Sequence, residues 1–65
     1  MTILEAFQRR IAIVQLFWDC DEMAEHGASP KAIVEILRIA CKVYGRTAIV
    51  NSLAEDKKLL AYLQR

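Results

Sequence analysis

The order of apolar and polar positions predicts helices throughout the chain. The clearest pattern lies near the start, where five large apolar residues follow one another at spacings of 3, 4, 3 and 4. They are Leu4, Phe7, Ile11, Val14 and Trp18. This spacing is typical of a helix that packs along one face against another helix. We call these five residues the apolar seam.

A second apolar stripe lies beside the seam on the same predicted helix. Its members are Ile3, Ala6, Ile13, Phe17, Cys20 and Ala24. Between Ile11 and Trp18 only Gln15 is polar, so apolar side chains point in nearly every direction. A chain of 65 residues has too little mass to cover a helix on all sides. Two stripes therefore predict two neighbours, one inside the subunit and one outside it.

The ends of this first helix carry local signals. Thr2 can act as an N-cap, with Glu5 three residues later as its capping-box partner. Gly27 tolerates the left-handed backbone that commonly ends a helix. We predict a first helix from about Ile3 to His26.

A second helix is predicted from Pro30 to about Tyr44. Ser29 is a favourable N-cap, proline suits the first helical position, and Gly45 follows the end. The polar residues fall on one line along this helix: Lys31, Glu35, Arg38 and Lys42. Because nearly all the rest is apolar, we expect this helix to be mostly buried, with one solvated stripe.

A third helix is predicted from Arg46-Thr47 toward Leu63. Its apolar face holds Ile49, Val50, Leu53, Leu60 and Leu63, with Leu59 and Tyr62 near the edge. Ser52 and Glu55 form a second candidate capping box, so a break at Asn51-Ser52 is an alternative that would make four helices. The fold class is all-α, a small three-helix bundle in one helical domain over residues 1–65.

The predicted lengths favour completion of this bundle by dimerisation. At about 36 Å the first helix overhangs the second, at about 22 Å. The overhang carries Leu4, Phe7 and Ile11, which a monomer would expose. We expect a homodimer with the first helices packed together, in an orientation that the sequence leaves open.

Composition narrows the class of protein further. Hydrophobic residues make up 55% of the chain, which argues against disorder and is more than one small domain can hide. With 26% charged residues, we nevertheless expect the chain to be soluble. The net charge of +1 gives no general attraction to nucleic acid or to anionic membranes. The longest apolar run is too short to span a bilayer, and Asp19-Cys20-Asp21-Glu22 stands where a signal-peptide cleavage site would lie. We expect a cytoplasmic protein with no membrane partner, and with Cys20 and Cys41 as reduced thiols rather than a disulfide.

Acidic residues crowd the end of the first helix. They are Asp19, Asp21, Glu22 and Glu25, followed by His26. Carboxylates and imidazole can bind metals, but the chain has one histidine and lacks the Glu-x-x-His spacing of di-metal bundles. We expect no metal and interpret this end as a solvated one. The alternative is an acidic docking patch. Carboxylates at the C-terminal end of a helix interact unfavourably with the helix dipole, and such a local cost is mild support for a docking role.

Basic residues line one side of the second helix and the residues just after its end. They are Lys31, Arg38, Lys42 and Arg46, which could contact a phosphate backbone in a helix-turn-helix arrangement. Against this alternative, the would-be recognition helix presents Glu55 and Asp56 and has no Arg or Gln before Lys57 to contact base edges.

No constellation of catalytic groups is present in the sequence. There is no nucleophile–base–orienter set and no glycine-rich phosphate loop, so we expect neither an enzyme nor a cofactor or small-molecule substrate. The favoured hypothesis is a homodimeric module that binds another protein as a regulator, inhibitor or adaptor. A DNA-binding regulator and a structural subunit of a larger assembly are the alternatives.

Overall fold

Four α-helices make up most of residues 2–65, the part of the chain that the computed structural model describes. They are α1 (Ile3–Glu25), α2 (Pro30–Tyr44), α3 (Arg46–Glu55) and α4 (Lys57–Leu63). The described residues contain no strand, which confirms the all-α class. The third predicted helix is, however, two helices.

Side-chain caps begin the first two helices. The Oγ1 of Thr2 accepts a hydrogen bond from the backbone amide of Glu5 at 3.1 Å. The Oγ of Ser29 accepts one from the amide of Ala32, also at 3.1 Å. The bounds of α2 are those predicted, and α1 ends one residue early, at Glu25. Gly27 has a φ of 82°, the left-handed conformation that ends a helix.

The break between α3 and α4 lies at Asp56. The predicted position, Asn51-Ser52, is wrong, because both residues lie inside α3. Asp56 follows the last residue of α3, and its carboxylate accepts a hydrogen bond from the amide of Leu59 at 3.1 Å. A short acidic side chain that bonds to the backbone in this way favours a helix start over a helix interior. The same residue therefore ends one helix and begins the next.

This break changes which side chains of α4 point inward. Leu59 was predicted near the edge of the apolar face, yet it is only 1% exposed. Tyr62 is half-buried, and its hydroxyl donates a hydrogen bond to the carbonyl oxygen of Ala28 in the α1–α2 connection. Both apolar and polar contacts therefore hold the short last helix against the rest of the bundle.

All four helices contribute to a single core, and each helix contacts the other three. The buried residues are Ile13, Phe17 and Cys20 of α1, Ile33, Leu37 and Ala40 of α2, Ile49 of α3 and Leu59 of α4. The core thus lies beside the second half of α1.

The expectation that α2 is mostly buried is wrong. Its buried residues Ile33, Leu37 and Ala40 lie on one face, while Ile39 and Val43 are 60% and 67% exposed. Ile33, Leu37 and Ala40 are spaced by four and three residues, which places them on a single helix face. The other helices therefore cover α2 from one side only. The sequence showed which residues are apolar, but not how many neighbours would cover them.

The first half of α1 extends beyond the core. The molecule measures 38 × 17 × 17 Å, and 23 residues of helix span about 34 Å of the long dimension. No residue of α1 before Ile13 is fully buried. The overhang predicted from the helix lengths is therefore present.

Candidate interaction surfaces

The apolar seam is open to solvent along its whole length. Its five side chains are between 42% and 67% exposed, and they share one face of α1. Monomeric proteins rarely expose a continuous apolar patch of this kind unless it binds something. The seam is therefore a candidate binding surface.

The two stripes of α1 take different environments. In the second stripe Ile13, Phe17 and Cys20 are buried and Ala24 is half-buried, which confirms that this stripe packs within the subunit. Ile3, from the same stripe, is 91% exposed because it lies on the overhang. At 100° per residue the seam points well away from the buried face, so the rest of the subunit cannot cover it.

A shallow depression of about 410 Å³ runs along the seam. It is lined by Phe7, Ile11, Val14 and Trp18, together with Arg10 and Gln15. Arg10 is the one charged residue of this lining, so the floor offers dispersion contacts and area burial rather than specific polar chemistry. Such a surface suits a complementary apolar helix.

The acidic end of α1 is divided between two environments. Asp21 is half-buried, and Asp56 lies near it. Burial and the neighbouring carboxyl group of Asp56 raise the pKa of Asp21 from 3.8 to about 6. Glu25 pairs with Lys58 of α4 at 3.4 Å. Two of the four carboxyl groups thus face α4 within the subunit.

The other two carboxyl groups, Asp19 and Glu22, are exposed. With His26 and Gly27 they border an open depression near the α1–α2 connection. Glu25 is exposed as well, with 61% of its side chain accessible beside Lys58. Within residues 2–65 no three His, Cys, Asp or Glu side chains come together in a way that could hold a metal ion.

Both cysteines are free thiols in the structure. Cys20 lies in the core, and burial raises the pKa of its thiol, with further contributions from the negative charges of Asp21, Asp19 and Asp56. A raised pKa keeps the thiol protonated and poorly nucleophilic near neutral pH. Cys20 is therefore a packing residue.

The basic residues of α2 and its exit are all exposed, and Glu35 lies among them. Arg38 pairs with Glu35 at 3.5 Å, and Lys31 is exposed near the start of the helix. Lys42 and Arg46 make no ion pair among the described residues. Together with Arg38 they border an apolar groove between α2, α3 and α4, which we call the α2–α3 groove.

Sequence reasoning missed the α2–α3 groove. Its apolar lining comes from three helices: Val34, Leu37 and Cys41 of α2, Ile49, Val50 and Leu53 of α3, and Leu63 of α4. The available signal was weak, since it consisted of apolar residues directly beside the basic line of α2. Only the packing of α3 against α2 converts them into a concave surface.

Among residues 2–65 no helix combines the length and apolar character that crossing a membrane requires.

Comparison of the chain with protein-family models, with curated proteins and with solved structures found no match.

Proposed function

We propose that this chain is a protein–protein interaction module that forms a homodimer through the apolar seam and binds a further protein as a regulator, inhibitor or adaptor. The observation that carries the proposal is the exposure of all five seam residues on one face of α1. Burial of this face on a second α1 removes apolar area from water, which stabilises association at about 25 cal/mol per Å².

A second copy fits the seam because the seam has the repeat of a helix–helix interface. Spacings of 3 and 4 residues keep the same face toward a partner helix over four turns. Two copies of one seam also bury each other in a closed, two-fold arrangement. Trp18, as the largest side chain, is the expected anchor of the contact.

The seam is tested by placing a charge in it. A carboxylate at position 7 or 11 would have to be buried unpaired in the dimer, which is strongly unfavourable. We expect Phe7→Asp and Ile11→Asp to convert the dimer into a monomer. Light scattering behind a sizing column measures the mass, and circular dichroism checks that the helices persist.

Ala6→Asp is the matched control for these variants. Ala6 is exposed on the overhang but lies on the other stripe of α1, about 120° from the seam. Its variant introduces the same charge on the same helix and should remain a dimer. If Phe7→Asp and Ile11→Asp kept the mass of the parent protein, the proposed interface would be wrong.

A further inference from the structure

We infer that the α2–α3 groove binds an amphipathic helix whose apolar face is flanked by acidic side chains. This inference rests on the proposed function only in taking the chain to be protein-binding, because the groove and the apolar seam share no residue. The α2–α3 groove is then a second binding surface of the molecule, with a partner of defined chemistry.

The shape and lining of the groove suit apolar side chains of a helix. Its volume is about 490 Å³, and its floor includes Leu37 and Ile49 of the core. Along α2 it extends from Val34 to Lys42, or about 12 Å, which matches roughly two turns of a bound helix. Val50, at 50% exposed, leaves apolar area on the α3 side for a partner to cover. Recognition of a helix by such a groove uses apolar anchors spaced by three and four residues.

The charged residues at the border of the groove favour a partner whose side chains carry negative charge. Arg38, Lys42 and Arg46 are the charged residues of its lining, and no carboxylate is among them. Arg38 is partly neutralised by Glu35, whereas Lys42 and Arg46 are unpaired within residues 2–65. Acidic side chains beside the anchors of a bound helix would meet these cations, while basic ones would be repelled. A nucleic acid is the weaker fit, because its phosphates gain nothing from an apolar floor.

The experiment uses two synthetic helical peptides of roughly 18 residues, long enough to populate a helix. Both carry leucines at positions i, i+3, i+4 and i+7; one has glutamates beside the leucines and the other has lysines at the same positions. Each is titrated into the full ¹⁵N-labelled chain, and amide shifts are followed by NMR. We expect saturable binding of the glutamate peptide, with shifts on α2 and α3, and binding about tenfold weaker for the lysine peptide.

Charge reversal in the protein provides the matched variants. Lys42→Glu combined with Arg46→Glu should weaken the glutamate peptide about tenfold. Lys31→Glu, an exposed change on the same helix but outside the groove, should leave the affinity unchanged. The proposal is overturned by no binding up to about 1 mM peptide, by equal binding of the two peptides, by shifts confined to α1, or by displacement of the peptide by a short DNA duplex. Failure here leaves the mass of the protein unaffected, so it is distinguishable from failure of the seam.

Discussion

At the scale of single residues, the contact between Asp21 and Asp56 is the least expected. Asp56 caps α4, and the same break in the helix brings its carboxyl group to that of Asp21 on α1. Two neighbouring carboxyl groups cannot both ionise freely, because the negative charge of one disfavours ionisation of the other. Neither residue suggested the pairing from sequence, because the contact depends on where α4 begins.

This pair makes stability depend on pH in a defined direction. The pKa of Asp21 is about 6 in the folded chain and 3.8 ordinarily, so the folded state binds the proton more tightly. The contribution of Asp21 is therefore most favourable below about pH 4 and is lost as the pH rises through 6. We expect Asp21→Asn to raise the free energy of unfolding at pH 7 by on the order of 1 kcal/mol and to give no gain at pH 4.

Urea unfolding at both pH values measures this difference. Asp19→Asn makes the same chemical change at an exposed carboxyl group of the same helix and serves as the control. An equal effect of Asp21→Asn at pH 4 and pH 7 would show that the carboxyl pair does not form.

The hydroxyl of Tyr62 makes a second prediction at this scale. It donates a hydrogen bond to the carbonyl oxygen of Ala28, whereas the hydroxyl of Tyr44 makes none with the described residues. We expect Tyr62→Phe to lower the free energy of unfolding by about 1 kcal/mol. Tyr44→Phe, the matched change, should cost clearly less in the same urea titration, and equal losses would speak against the Tyr62 contact.

At the scale of the helices, features that depend on neighbouring residues were predicted well, and features that depend on tertiary packing were not. Thr2 and Ser29 cap α1 and α2 as expected, because a cap depends on a few neighbouring residues. The break in the third segment was placed wrongly because Ser52 and Asp56 both offer a plausible cap. The break at Asp56 goes together with the burial of Leu59 in a core that all four helices form, which the local sequence does not show.

The charges of α1 predict how two copies meet. The exposed carboxylates of Asp19 and Glu22 lie near its end. A parallel pair would place these carboxylates of the two copies at the same level and align the two helix dipoles. An antiparallel pair centred near Ile11 instead places them beside the start of the partner α1, which is the positive end of its helix dipole. We therefore expect the α1 helices of the dimer to be antiparallel.

Spin labels at position 22 distinguish the two orientations. In a Cys20→Ala, Cys41→Ala background, labels on Glu22→Cys should lie about 30 Å or more apart in an antiparallel pair centred near Ile11. A parallel pair would place them at the same level, within roughly 20 Å, as two packed helices and the label arms allow. Pulsed electron resonance measures this distance, and a short value would contradict the antiparallel arrangement.

At the scale of the whole molecule, the apolar seam and the α2–α3 groove are separate surfaces that share no residue. The apolar seam was predictable because one helix carries all of it and its spacing is visible in the sequence. The α2–α3 groove was not, because three helices must pack before its lining residues meet. A dimer joined through the seam would leave two such grooves free, one on each subunit, which suits an adaptor or an inhibitor that binds its target in two copies.

The central claim is that the apolar seam is covered by a second copy of the chain. The most direct test is the absolute mass of the unmodified protein, measured by light scattering behind a sizing column over a range of concentrations. We expect about 14.8 kDa, which is twice the 7.4 kDa of one chain, with the mass falling only at high dilution. A mass of 7.4 kDa at every concentration would contradict the claim.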